Sequence, residues 1–285
     1  MRSLQIGSRY AVATNFMGDY TSVFKGRGIV FESFREYTSA DDSSMIDWRA
    51  SARVGKQLVR EYAEERNLDV FFLVDSSYSM VFGSQKKLKH EYTAEMVSSM
   101  AYSILQKGDS VGVALFSDGL RDFLPPTYGL KQHRKILRIL TDPSNYDGPC
   151  DLASALKACM HRLKKSTVLV LVTDFLQFSD GWQLPLKVAS QKFDIIPLVI
   201  QDPRDLELPD DDSQIVVENP HTGEQMLLSV RKVKEEYAKI SQNLLYEKLN
   251  LIKRINVSQS GIIKTDKAFS PQIVKYLERR KRRWR

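Results

Sequence analysis

Apolar and polar positions follow one rule before about residue 68 and another after it. Residues 1–24 show no clean period and are expected to be a loosely attached start. Residues 25–38 partly alternate apolar with polar and read as a strand. Residues 39–45 read as a loop. Residues 46–62, where Trp48, Leu58, Val59 and Tyr62 stand among charges, read as a short helical turn and then an extended stretch. From Asp69 the pattern becomes blocks. Residues 70–74 are all apolar and end at Asp75, which suits a parallel strand buried on both faces. Residues 86–107 carry Leu88, Tyr92, Met96, Met100 and Ile104 at helical spacing and stop at Gly108, a C-cap residue. Residues 110–116 read as a strand, and residues 120–124 pair back after the turn at Gly119. Helices are predicted over 131–141 and 151–165, a buried strand over 167–174 ending in Asp174, a helix over 182–192 and a strand over 194–200.

Strand and helix alternating at this spacing predict a doubly wound, mostly parallel α/β sheet flanked by helices. In such sheets the binding crevice lies beyond the carboxyl ends of the strands, at the topological switch point. Asp75 and Asp174 are both placed at such ends and are expected to converge there. After residue 202 the alternation stops. Residues 210–212 are an acidic loop, residues 215–228 a hairpin, residues 230–252 a helix, residues 262–264 a short strand and residues 270–283 a last helix. The expected organisation is an N-terminal extension (1–66) packing on an α/β domain (67–202), then a hairpin and C-terminal helices (203–285).

Composition changes this picture little. With 42% hydrophobic and 27% charged residues among 285, the chain has enough apolar content for a core, which excludes full disorder. No apolar run approaches the roughly 20 residues that span a bilayer. The start lacks the roughly 7–15-residue apolar core of a signal peptide. With two cysteines only, Cys150 and Cys159, a cytoplasmic protein is expected, with Cys159 in the core. The net charge of +7 suggests an anionic partner, yet six of the last seven residues are Lys or Arg, and without them the body stands near +1. That basic tail, residues 279–285, is expected to be a solvated end or a partner contact, with nucleic acid or an anionic membrane as other ligands.

The candidate chemistry sits at Asp75-Ser76-Ser77-Tyr78-Ser79, a D-x-S-x-S motif where a buried strand gives way to a loop. One carboxylate with two hydroxyls at alternate positions makes an oxygen-only face of the kind hard cations such as Mg²⁺ prefer. Asp174 brings a second carboxylate, and residues 147–152 form a third loop able to reach the crevice. The plainer reading makes the serines helix caps and the aspartates strand terminators. His90, His133, His161 and His221 are scattered, none beside a nucleophile elbow, and read as surface or packed histidines. Gly26-x-Gly28 is no dinucleotide fingerprint, because Phe31 stands where the third glycine belongs. Trp48 reads first as a packing anchor and second as a contact residue.

The D-x-S-x-S motif with its following helix and the strand ending in Asp174 resemble a von Willebrand factor A domain with a metal-ion-dependent adhesion site. Gly26-x-Gly28, Phe31, Arg35-Glu36-Tyr37, Asp41-Asp42 and, above all, Ile46-Asp47-Trp48-Arg49-Ala50-Ser51-Ala52-Arg53 are similar to the bacterial domain-of-unknown-function 58 family. So are Ser79-Met80-x-Phe82-Gly83, Lys86, Gly108-Asp109-x-Val111-Gly112, Pro125-Pro126 and Asp151-Leu152. The resemblance covers roughly residues 25–202. It implies a von Willebrand factor A-like fold, no enzymatic activity, and partnership with a MoxR-type AAA+ ATPase in maturing or remodelling client proteins. It also implies a divalent cation, Mg²⁺ or another, held by Asp75, Ser77, Ser79 and Asp174. The family's Thr near Gly148 is here Cys150, a soft thiol, so Asp151 or water fills in, or the site binds weakly, or it is degenerate. Asp47, Trp48 and Asp151 are the candidate partner-binding residues. The competing expectations are a metal-dependent hydrolase or phosphotransferase using Asp75 and Asp174, and nucleic-acid binding through the tail.

Overall fold

Val70, Phe72 and Val74 face one side of a strand while Phe71 and Leu73 face the other, and all five are fully buried. That strand is β3 (Asp69–Asp75), and its two-sided burial sets the architecture, because a strand without a polar face needs cover on both sides. The computed structural model describes residues 31–38, 41–62, 68–178, 180–210, 213–218, 224–255, 257 and 259–282. Residues 1–30, including Gly26-x-Gly28, lie outside them, as do His221 and residues 211, 212 and 283–285.

Two strands and a helix precede β3. Strands β1 (Phe31–Glu36) and β2 (Leu58–Tyr62) pair antiparallel around helix α1 (Trp48–Val54). Asp47 caps α1, its carboxylate accepting from Arg49 N and Ala50 N, and Gly55 ends it at φ +75°. Ser51 Oγ accepts from Leu58 N at 2.9 Å, which ties the helix to β2. Trp48 does not anchor this unit: it is 66% exposed, because the N-terminal turn of α1 directs it outward while Ile46, Leu58 and Val59 are the buried residues.

After β3 come α2 (Lys89–Gln106), β4 (Ser110–Phe116), β5 (Leu120–Thr127), α3 (Leu130–Thr141), α4 (Leu152–Arg162), β6 (Val168–Thr173), α5 (Gln183–Lys192) and β7 (Asp194–Gln201). Helix α2 starts three residues later than its spacing predicts. Residues 78–81 form a separate 3-10 turn, and Glu91 Oε2 accepts from Leu88 N at 2.9 Å where the helix begins. The last third of the chain adds the hairpin β8 (Gln214–Glu218) and β9 (Gln225–Ser229), then α6 (Val230–Arg254), β10 (Gly261–Lys264) and α7 (Phe269–Arg282). Asp210 of the acidic loop pairs with Lys234 at 2.5 Å.

The central sheet has the order β10-β7-β6-β3-β4-β5, parallel except for β5. This is the expected doubly wound, mostly parallel sheet. The chain runs outward from β3 through β4 to β5, then crosses back to β6 and runs the other way through β7 to β10. The order therefore reverses between β3 and β6. Pro125 and Pro126 fit β5 because it is an edge strand, where missing donors do no harm. One face buries residues of α2, α3 and α7 (Met96, Ile136, Ile273), and the other buries residues of α4, α5 and α6 (Leu156, Leu186, Ile252).

Candidate functional site

The sheet reversal opens a crevice between the carboxyl ends of β3 and β6. Asp75 ends β3, fully buried. Ser76 follows and donates to Phe116 O through N at 2.8 Å and Oγ at 3.2 Å, which ties the turn to β4. Ser77 N donates to Asp75 Oδ1 at 2.9 Å, and the Ser77 and Ser79 hydroxyls lie 3.2 Å apart. Thr173, the last residue of β6, donates its hydroxyl to Asp75 Oδ2 at 2.6 Å. The loop before α4 brings in Cys150, whose thiol donates to the same oxygen at 3.3 Å. Gly148, at φ +82°, lets that loop turn inward, and its carbonyl accepts from Tyr78 N at 3.0 Å. Asp75, Ser77, Cys150 and Asp174 are thus gathered as expected, with Ser79 nearer the mouth.

Asp174 has a different partner. Its Oδ1 accepts from Leu176 N at 2.9 Å, and its Oδ2 accepts from the ammonium of Lys89 at 2.8 Å. Lys89 is 1% exposed and also donates to Asp205 Oδ1 and Oδ2 at 3.0 and 3.2 Å. Asp205 belongs to the turn after β7, where its Oδ2 accepts from Asp202 N at 2.8 Å. Lys248, from α6, donates to the carbonyls of Phe175 and Leu176 at 2.5 and 2.6 Å. It holds Phe175 at φ +58°, a conformation costly for a bulky side chain.

These contacts set the electrostatics. Burial, then the nearby Asp174 charge, raises the Asp75 carboxyl to about 6. Burial, then the Asp75 charge, pushes the Cys150 thiol far up. Burial opposes the charge on Lys89, but Asp174 and Asp205 outweigh it and hold its ammonium above the ordinary value. Burial raises Asp205, against the pull of Lys89, and burial lowers Lys248. Two carboxylates, Asp174 and Asp205, stand with two ammonium groups, Lys89 and Lys248, beside Asp75, which takes up a proton at higher pH than an ordinary carboxyl.

The donor set does not fit the divalent ion that the resemblance implies. Only the Ser77 and Ser79 hydroxyls form the expected hard-oxygen face. Both Asp75 oxygens accept hydrogen bonds within the protein, and Cys150 offers a protonated thiol. Asp174 Oδ2 already carries the ammonium. An ion on that oxygen would lie within about 5 Å of Nζ, where a +2/+1 pair repels by roughly 7 kcal/mol at an effective dielectric of about 20.

The cysteines follow the same logic. Both are buried, and burial also raises Cys159, to about 12. No rapidly reacting thiol is expected in the native protein and two in urea, counted with a chromogenic disulfide reagent. One native equivalent within a minute would place Cys150 at the surface.

Of the candidate partner residues, Asp47 caps α1 and Asp151 caps α4, accepting from Ser154 N at 3.0 Å and Ser154 Oγ at 2.6 Å. Asp147 pairs with Arg121. His90 and His133 are packed: His90 Nδ1 lies 3.2 Å from Met80 O, and His133 Nε2 lies 2.9 Å from Ser98 Oγ. Sequence reasoning missed Lys89, Asp205, Thr173 and Lys248. Lys89 had left a signal. It lies three residues before Tyr92 and seven before Met96, on the apolar stripe, in the first helical turn where a cation opposes the dipole.

Sheet order and crevice define a doubly wound α/β protein whose candidate site lies at the switch between β3 and β6. The family described as "Protein of unknown function DUF58" matches residues 33–244, and the chain belongs to it. It is 24% identical over 227 residues to Uncharacterized protein Rv1480 of Mycobacterium tuberculosis, a match covering 78% of this chain and 70% of that one. Among solved structures it is similar to BatB from Bacteroides thetaiotaomicron, with TM-score 0.49 and 15% identity, covering 76% of this chain and all of that one. It is also similar to the SpRpn10 VWA domain, with TM-score 0.39 and 12% identity, covering 75% and 94%. No helix among the described residues is long and apolar enough to cross a membrane.

Proposed function

We propose that this chain is a non-enzymatic interaction module that docks partners over the β3/β6 crevice and works with a MoxR-type AAA+ ATPase in protein maturation or remodelling. The observation that carries the docking part is an exposed apolar rim over an internally satisfied polar floor. Tyr78, Val81 and Phe82, from the loop after β3, and Leu176, after β6, are exposed. Beneath them Lys89 is paired with Asp174 and Asp205, and Asp75 and Lys248 are hydrogen-bonded within the protein. Exposed apolar residues gathered at one edge favour association, whereas a hydrolase would need a base poised on a nucleophile. The Ser77 and Ser79 hydroxyls face each other, and His90 is engaged by Met80 O and tilted against Tyr146, ring centres 4.5 Å apart. The ATPase partner is drawn from the family resemblance. In this reading the Lys89 ammonium takes the charge role expected of a divalent ion, so docking needs no added metal.

The test is capture of the cognate ATPase by the immobilised full chain, in Mg²⁺ and in EDTA. Capture is expected to be equal in both and to fall at least tenfold for Val81→Asp/Phe82→Asp, with the melting temperature nearly unchanged. Capture abolished by EDTA would restore the metal bridge. Capture indifferent to the double substitution would move the docking site elsewhere.

A further inference from the structure

Strand β10 lies at one edge of the central sheet, paired among the described residues with β7 alone. Beside it runs a groove of about 870 Å³, walled by residues of α6 and α7. Five cationic side chains line it: Lys264 from β10, Lys267 from the following turn, and Lys275, Arg279 and Arg280 from α7. No Asp or Glu is among its lining residues. Lys264, Lys267, Lys275 and Arg279 are exposed and form no ion pair among the described residues.

Arg280 is different and corrects the expectation of a freely solvated tail. It is only 7% exposed, and its Nη2 donates to Asp194 Oδ1 and Oδ2 at 2.5 and 2.7 Å. Its Nε and Nη1 are buried without a hydrogen-bond partner among the described residues. Unsatisfied buried donors are uncommon and unfavourable, so although Asp194 balances its charge, this guanidinium keeps two N–H groups without an acceptor at the groove wall. The groove also has an apolar side, made by Leu206, Leu245 and the exposed Ile262.

We infer that this groove binds an extended acidic peptide segment of a partner protein, added as a strand along β10. An open strand edge is a template for main-chain pairing. One end already shows the mode: the Gln272 side-chain amide bonds Lys264 N at 2.9 Å and Lys264 O at 3.0 Å, as a neighbouring strand would. In an extended peptide alternate side chains point to opposite sides, so acidic residues meet Lys275 and Arg279 of α7 while apolar ones meet Ile262 and Leu245. Single-stranded nucleic acid fits less well, because it wants exposed rings to stack on. The ring in this groove, Tyr276, is buried, and its hydroxyl donates to Gln259 O at 2.8 Å. The inference stands apart from the crevice reading and shares no residue with it.

The experiment is fluorescence anisotropy of a labelled (Glu-Val)₄ peptide with the full chain at low salt. Saturable binding is expected, weakened at least tenfold by Lys275→Glu/Arg279→Glu, and weakened similarly when alternate peptide nitrogens are methylated. Both substitutions are at exposed positions, and circular dichroism of the variant checks that it is folded. A (Lys-Val)₄ peptide is expected not to bind. Absence of binding at millimolar peptide would overturn the inference. So would equal binding of the methylated peptide, or tighter charge-dependent binding of oligo-dT or of phosphatidylserine vesicles.

Discussion

Lys89→Met is expected to destabilise the protein by about 3–5 kcal/mol, the range for removing one member of a buried ion pair. The substitution keeps the length of the side chain but leaves Asp174 and Asp205 facing each other with no cation between them. Both carboxylates are buried, so solvent cannot take over the lost role. Urea denaturation followed by circular dichroism reads the effect. The triple variant Lys89→Met/Asp174→Asn/Asp205→Asn is expected to recover most of the loss, because a neutral polar set requires no internal cation. For the wild type, the melting temperature is expected to be the same in Mg²⁺ and in EDTA. A loss under about 1 kcal/mol for Lys89→Met would show the ion pair to be dispensable. A wild-type melting temperature that rises by several degrees in Mg²⁺ would show that a divalent ion shares the site.

Gly112→Ala is expected to cost about 3 kcal/mol, the upper part of the range for overpacking a core. Gly112 sits in β4, where β5 crosses it with an irregular register between Val111 and Val113. A Cβ there would lie 2.7 Å from both Leu124 O and Pro126 N and 2.8 Å from Phe71 Cδ2. Two of these are backbone atoms, which cannot swing aside as a side chain can, so the β4–β5 pairing itself must shift. Gly119→Ala is the control: a Cβ there meets nothing within 4 Å, and a change within about 0.5 kcal/mol is expected. Equal midpoints in urea for the two variants would mean that β5 can slide without loss.

The apolar blocks over residues 70–74, 168–172 and 195–200 made the central strands legible because each is buried on both faces and needs no partner pattern to be recognised. The same holds for Asp75 and Asp174, carboxylates at the ends of such blocks. Boundaries were less legible where side chains compete for backbone groups. Glu91 takes Leu88 N, so α2 begins at Lys89 and not at residue 86. Trp48 read as a packing residue because it is large and apolar, yet the orientation of a seven-residue helix leaves it outside.

The sequence by itself determined a doubly wound sheet and the strand ends that carry Asp75 and Asp174, since local periodicity and chain direction suffice for these, while the family resemblance put Cys150 beside them. Only the tertiary structure decided what those groups face. Lys89 meets Asp174 and Asp205 across 85 and 116 residues of chain. Arg280, read from sequence as tail, is drawn in by Asp194, 86 residues earlier. Ion pairs of this kind follow from where packed elements place their charges, and no local pattern specifies that. The crevice was visible in the sequence as a set of oxygens, and the fold supplied the cation that closes it.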